Sequence, residues 1–196
     1  MVTAAPQIGV LALQGAVAEH ERSLRSVGAQ VRTVRRPAEL EGLDGLVIPG
    51  GESTAMARLA APVGLMPAIR ARHEEGMALF GTCAGLILTA NTVSDAEALQ
   101  GYDRIGGLDV VVRRNAYGSQ LDSFTTDLDV AGLAEPLPAV FIRAPIIEEV
   151  LDGVEVLAEA AGHPVAVRQG RILGASFHSE LTRDARLHQL FTELAR

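Results

Sequence analysis

Lysine is absent from this chain. All seventeen basic residues among its 196 are arginine, which removes Schiff-base catalysis, a Walker-type phosphate lysine and a lysine general base. Cysteine is nearly absent: Cys83 stands alone, so there is no internal disulfide framework, and the chain suits a reducing compartment. No apolar run reaches the length of a membrane span. Met1-Val-Thr-Ala-Ala-Pro6 has neither a basic segment nor a long apolar one, so no signal peptide is expected and a cytoplasmic location is. A basic surplus is missing as well. The formal net charge is −7, which argues against a nucleic-acid binder. No His/Cys/Asp/Glu cluster has metal-ligand spacing, and no metal or other cofactor is expected. Repeats, low-complexity tracts and linkers are lacking too. The length supports one sizeable core and not two, so residues 1–196 are expected to form a single domain.

What is present is organised around Met77-Ala-Leu-Phe-Gly-Thr-Cys83-Ala-Gly-Leu-Ile-Leu-Thr-Ala90. A short apolar run ends in Gly81-Thr82, and an apolar segment of helical character begins at Ala84. Gly-x-Cys-x-Gly at such a junction is the cysteine form of the nucleophile elbow, where a strained turn presents the side chain and glycines admit neighbouring backbone. A helix N-terminus beyond the thiol lowers its pKa and offers free N–H groups to an anion. A lone cysteine is more often a small core hydrophobe, so the rest of the chain has to supply a base.

Ile8 to Leu13 reads as a buried strand and Ala16 to Val27 as an amphipathic helix ending at Gly28. Val31 to Val34 and Asp44 to Ile48 are further strands. A helix is expected from about Ser53, with Met56, Leu59 and Ala60 on one face, and another over Met66 to Glu75. This alternation predicts βαβ units and a mostly parallel central sheet in a three-layer α/β/α architecture. The second half changes character. Leu108 to Arg113, Ser123 to Asp127, Ala139 to Arg143, Val154 to Ala160, Val165 to Arg168 and Ile172 to Phe177 read as strands, with Gln169-Gly170 a hairpin signal. They predict an antiparallel extension. Asp184 to Ala195 closes the chain as a helix with Leu187, Leu190, Phe191 and Leu194 inward.

Ligands in open α/β sheets sit at the carboxyl ends of the strands, where Gln14-Gly15, Pro49-Gly-Gly-Glu-Ser53 and Cys83 all fall. Among the histidines, His20 and His73 have charged helical neighbours and read as surface residues. His163 belongs to a turn, and His188 to the outer face of the last helix. His178 differs, because it ends a strand and has Glu180 two residues on. In extended chain those two positions face the same way, so Glu180 can hold one imidazole nitrogen while the other meets Cys83. The Gly50-Gly51 pair can lend N–H groups to an oxyanion hole with Ala84, and Ser53 reads as a cap for the helix that follows.

Gly-Thr-Cys-Ala-Gly-Leu, Pro-Gly-Gly-Glu-Ser-Thr and Phe-His-Ser-Glu-Leu-Thr together resemble class I (triad) glutamine amidotransferases. Leu11-Ala-Leu-Gln-Gly15, Arg113-Arg-Asn115 and Phe141-Ile-Arg-Ala-Pro145 bring the resemblance closest to the glutaminase subunits of two-component pyridoxal 5′-phosphate synthases, over essentially the whole chain. The resemblance implies a flavodoxin-like fold that hydrolyses L-glutamine to L-glutamate and ammonia. The ammonia would pass to a (β/α)8-barrel synthase, of which pyridoxal phosphate is the product. It implies Cys83 as nucleophile, His178 as acid/base and Glu180 as orienting carboxylate. Gly51, Glu52, Ser53, Arg114, Ile142 and Arg143 would bind glutamine, with an arginine on the substrate α-carboxylate and Glu52 on its α-ammonium. Gly51 and Ala84 would form the oxyanion hole, and Gln14 would lie by it and by the partner interface. Ser179 stands where the family has proline, a change that loosens the backbone there but removes no reactive group. Three other readings remain open: a glutaminase subunit of another synthase such as imidazole glycerol phosphate synthase, a free-standing cysteine hydrolase of γ-glutamyl compounds, and a catalytically silent subunit.

Overall fold

The computed structural model describes residues 4–114 and 123–196. In chain order the strands and helices are β1 (Gln7–Leu11), α1 (Val17–Ser26), β2 (Gln30–Val34), β3 (Gly45–Ile48), α2 (Ser53–Ala60), α3 (Leu65–Glu74), β4 (Ala78–Thr82), α4 (Ala84–Thr89) and β5 (Ala90–Val93). Then come β6 (Leu108–Arg113), β7 (Ser123–Leu128), β8 (Leu137–Ile142), β9 (Ile146–Val150), β10 (Glu155–Ala160), β11 (His163–Gln169), β12 (Ile172–Ala175) and α5 (Arg186–Leu194).

Among the described residues the main sheet has seven strands in the order β10-β11-β12-β4-β3-β1-β2. From β12 to β2 every pairing is parallel, and β11 and β10 are added antiparallel. A three-stranded sheet β5-β6-β9 and the β7-β8 ribbon complete the extension. The central strands read as unbroken apolar runs because helices cover both faces. Successive side chains go to opposite layers: Leu46, Ile48, Leu79 and Leu11 join one core with α2, α3 and α4, while Val47, Ala78, Phe80, Ile8 and Val10 join another with α1 and α5. No helix among the described residues is long and apolar enough to cross a membrane.

Several expectations are corrected. Leu59 does not share the inward face with Met56 and Ala60; it is half exposed. The helix α2 is capped by Glu52, whose carboxylate accepts from Thr54 N at 2.9 Å and Ala55 N at 2.7 Å, and not by Ser53, which opens the helix itself. Leu190 and Leu194 are only half-buried, whereas Leu187 and Phe191 are fully inside. His163 begins β11 and is no turn residue. His73 is half-buried, its Nδ1 2.9 Å from Met77 O. The larger reversals are His20 and His188, both wholly buried. Each lies on its helix's core stripe, His20 with Ser23 and Leu24, and His188 with Leu187, Phe191 and Thr192. Helical phase outweighs the charged neighbours.

Candidate active site

The parallel order β12-β4-β3-β1 puts four adjacent carboxyl ends on one edge of the sheet. His178, Cys83, the Pro49–Glu52 turn and Gln14 leave those ends side by side. Cys83 sits between β4 and α4 with φ 50° and ψ −104°, a conformation costly for a residue with a side chain. Its N–H donates to Ala175 O at 2.8 Å, which ties the elbow to the end of β12. The flanking glycines are sterically required. A Cβ on Gly81 would lie 2.6 Å from the Gly85 carbonyl, and one on Gly85 only 1.9 Å from Ile48 O.

His178 is fixed by three contacts. Its backbone N–H donates to Val140 O of β8 at 2.8 Å. Its ring packs over Gly50, where a Cβ would stand 2.2 Å from Cε1. Its Nδ1–H donates to Glu180 Oε1 at 2.7 Å. Burial works against a charged ring here, but the hydrogen bonds with Cys83 and Glu180 and their negative charges outweigh it and raise the imidazole to about 10. At neutral pH His178 therefore keeps its proton. Glu180 is fully buried behind it.

In front of Cys83 and His178 lies a cavity of about 430 Å³. Gln14, Gly51, Glu52, Ser53, Ala84, Arg114, Ile142 and Arg143 all line it, so every expected substrate-side residue meets at one place. Glu180 alone among the expected site residues stays outside, in its place behind the imidazole. Gly50, already expected among the oxyanion-hole donors, also lines the cavity, as do Ile87 and Leu181, which were not singled out beforehand. Leu181 and Ile142 expose apolar side chains there. Asn115, next to Arg114, lies outside the described residues.

Gln14 Oε1 accepts from Glu52 N at 2.7 Å, joining the turns that follow β1 and β3. Arg114 Nη2 donates to Glu52 Oε1 at 3.2 Å and Thr54 Oγ1 at 3.1 Å. Partial burial pushes the Glu52 carboxyl up, but the Thr54 and Ala55 bonds and the Arg114 charge prevail and hold it below the usual range. Arg143 differs. It follows β8 at φ 42°, is exposed, and forms no ion pair among the described residues.

A model of the SNO glutamine amidotransferase family matches residues 10–195. The chain belongs to that family. It is 56% identical over 192 residues to pyridoxal 5′-phosphate synthase subunit PdxT of Mycolicibacterium vanbaalenii, covering 95% of this chain and 96% of the relative. PdxT of a Parafrankia species is 57% identical over 193 residues, covering 98% and 94%. A crystal structure of a glutamine amidotransferase superposes with a TM-score of 0.90 at 48% identity, over 96% of this chain and 98% of that one. A putative GMP synthase component from Thermoplasma acidophilum, at a TM-score of 0.66 and 19% identity over 98% and 94% of the chains, shares the fold. Family membership and the α/β fold are thus as the motifs led one to expect.

Proposed function

We propose that the chain hydrolyses L-glutamine to L-glutamate and ammonia as the glutaminase subunit of a pyridoxal 5′-phosphate synthase, with residues 1–196 acting as one domain. The observation that carries the reading is the His178 imidazole, bonded to Glu180 behind it and lining the same cavity as Cys83. Cys83 Sγ attacks the side-chain amide carbon of glutamine, and the oxyanion is held by backbone N–H groups at Gly51 and Ala84. The proton on His178 goes to the leaving nitrogen as the C–N bond breaks, so ammonia departs and a γ-glutamyl thioester remains. The ring, now neutral, takes a proton from water. The hydroxide adds to the thioester, the C–S bond breaks, and glutamate leaves.

Substrate recognition follows from how the two arginines are engaged. Arg114 is committed to Glu52 and Thr54, so it orients the Glu52 carboxylate toward an α-ammonium. Arg143, with no ion pair among the described residues, is the group available to the α-carboxylate. Ammonia released into water becomes ammonium and is no longer a nucleophile, so direct transfer to a (β/α)8-barrel synthase completes the reading. The exposed Ile142 and Leu181, with Gln14, offer that partner a docking rim. The absence of lysine supports this division of labour, since imine chemistry then belongs to the partner. A single reduced cysteine suits the cytoplasm. Glutamine hydrolysis measured with and without the synthase tests the proposal: stimulation by that synthase and loss in Cys83→Ala are expected. Stimulation only by an imidazole glycerol phosphate synthase barrel would overturn the pathway, and activity in Cys83→Ala the nucleophile.

A further inference from the structure

The buried hydrogen-bond chain does not stop at Glu180. Its Oε1 is taken by His178 Nδ1, but Oε2, equally buried, makes no direct hydrogen bond among the described residues. There the ion-pairing group within 4 Å of Oε2 is His20 Nε2 of α1, at 3.5 Å. The same Nε2 lies 3.2 Å from Thr82 Oγ1, on the residue before Cys83. His20 Nδ1 stands 2.9 Å from His188 Nε2 of α5. Phe80 closes the cluster, with its ring edge-on to both imidazoles at 6.1 and 5.6 Å.

We propose that His20, braced by His188, is a positioning residue for Glu180: its Nε2–H faces the second carboxylate oxygen and keeps the first on His178 Nδ1. This inference rests on the proposed role of Glu180 behind His178. The titratable groups facing Glu180 are His178 on one side and His20 on the other, with His188 behind His20.

The direction of the chain follows from charge. Burial, and then the charges of His188 and His178, hold His20 well below its ordinary range, and burial brings His188 down to about 4. At neutral pH each ring therefore has one N–H. If His20 carried it on Nδ1, a bare Nε2 lone pair would face a carboxylate, and His188 would be left with a buried N–H on Nδ1, which has no partner among the described residues. An orphaned donor and a repelled carboxylate are both costly. With the proton on Nε2 of both rings, His188 donates to His20, His20 donates toward Glu180 and Thr82, and only a bare lone pair on His188 Nδ1 goes unpaired. Glu180 then sits between two donors, which holds its first oxygen on His178 Nδ1. Neutral histidines suit this task, because a second cation at His20 would compete with His178 for the same carboxylate.

The wild-type chain, labelled with 15N-histidine, reports the tautomers directly. Protonated Nε2 and bare Nδ1 are expected for both His20 and His188 at pH 7, and Nδ1–H on His20 would overturn the proposal. Glutamine hydrolysis in complex with the synthase gives the second readout. His20→Leu should lower kcat about 10- to 100-fold with KM within about twofold, the size of effect of a lost hydrogen bond to a charged group. Its alkaline limb should move toward neutral pH, because a less firmly held Glu180 supports the His178 proton less. His20→Gln, which keeps a donor at the Nε2 position, should recover most of the rate. Equal activity in His20→Leu and His20→Gln with an unchanged pH profile would leave His20 a packing residue and sink the inference. Glu180→Gln separates the two levels. If it alone is impaired, only the role of His20 falls; if it retains full activity, the reading of Glu180 falls and takes this one with it.

Discussion

His178 Nδ1 and Glu180 Oε1 meet at 2.7 Å across a single intervening residue, Ser179, although the family has a proline there. The alignment is held from outside that dipeptide: His178 N donates to Val140 O, and Thr182 Oγ1 donates to Ser179 O at 2.9 Å. Ser179 opens a 3-10 turn, a position where a missing N–H is tolerated, and its buried hydroxyl has no hydrogen-bond partner among the described residues. Ser179→Pro should therefore raise stability by about 0.5–1 kcal/mol, through a less free unfolded chain, and leave glutaminase activity within about twofold. Thermal melts and kinetics of the two proteins check this.

Strain at Cys83 can be separated from its chemistry. Cys83→Ala and Cys83→Gly should both lose glutamine hydrolysis. The glycine variant should be the more stable of the two by about 1 kcal/mol, because φ 50° with ψ −104° suits a residue without Cβ. Urea titrations of the pair measure the difference. An alanine variant equal to or more stable than the glycine one would show that the elbow stores no strain.

Gly50→Ala should leave the chain folded and reduce kcat by about a hundredfold or more. The added methyl would stand 2.2 Å from His178 Cε1 and force the ring away from the sulfur, and a displacement of about 1 Å in a catalytic group has that scale of effect. Circular dichroism, together with steady-state kinetics, distinguishes this from unfolding.

The arginines should separate kinetically. Arg143→Ala should raise KM for glutamine with a smaller change in kcat, because a cation is removed from the substrate side. Arg114→Ala should also cost stability, since it releases the Glu52 carboxylate that caps α2. Equal melting temperatures for the two variants would contradict the division of roles.

Stability should peak near neutral pH. The folded chain keeps the His178 proton up to about pH 10, whereas an unfolded histidine loses it near 6.5. Folding thus takes up a proton between those values, so this contribution is full below 6.5 and declines as pH rises toward 10. His20 and His188 act in the opposite sense. His188 stays neutral down to about 4, so the unfolded chain binds more protons between 4 and 6.5 and stability drops as pH falls through that window. Denaturant midpoints measured from pH 4 to 10 should show His178→Gln losing the alkaline slope and His188→Gln losing part of the acid one.

The parallel half of the fold was legible because its strands are buried on both faces and its helices keep a single apolar stripe. β5 and β9 were not. β5 exposes Asn91 and Thr92 at its centre, directly after α4, and β9 runs Ile-Ile-Glu-Glu-Val against a bulge at Val111/Val112 of β6, so neither alternates. The cavity was legible because motif glycines and reactive side chains mark strand ends. The layer behind Glu180 was obscured by local charge: Glu19, Glu21 and Arg22 flank His20, and only the spacing from His20 to Ser23 and Leu24 signals that it faces inward.

The position of β12 also bears on when the chain becomes active. This strand is made long after β4, yet it lies between β4 and β11 in the middle of the sheet and leads directly into His178 and Glu180. A nascent chain that has already folded β1, β3 and β4 holds Cys83 but lacks the proposed base, His178. On the proposed roles of His178 and Glu180, hydrolysis of glutamine waits for β12 to be in place, and a polypeptide truncated before it would spare the cell's glutamine instead of wasting it.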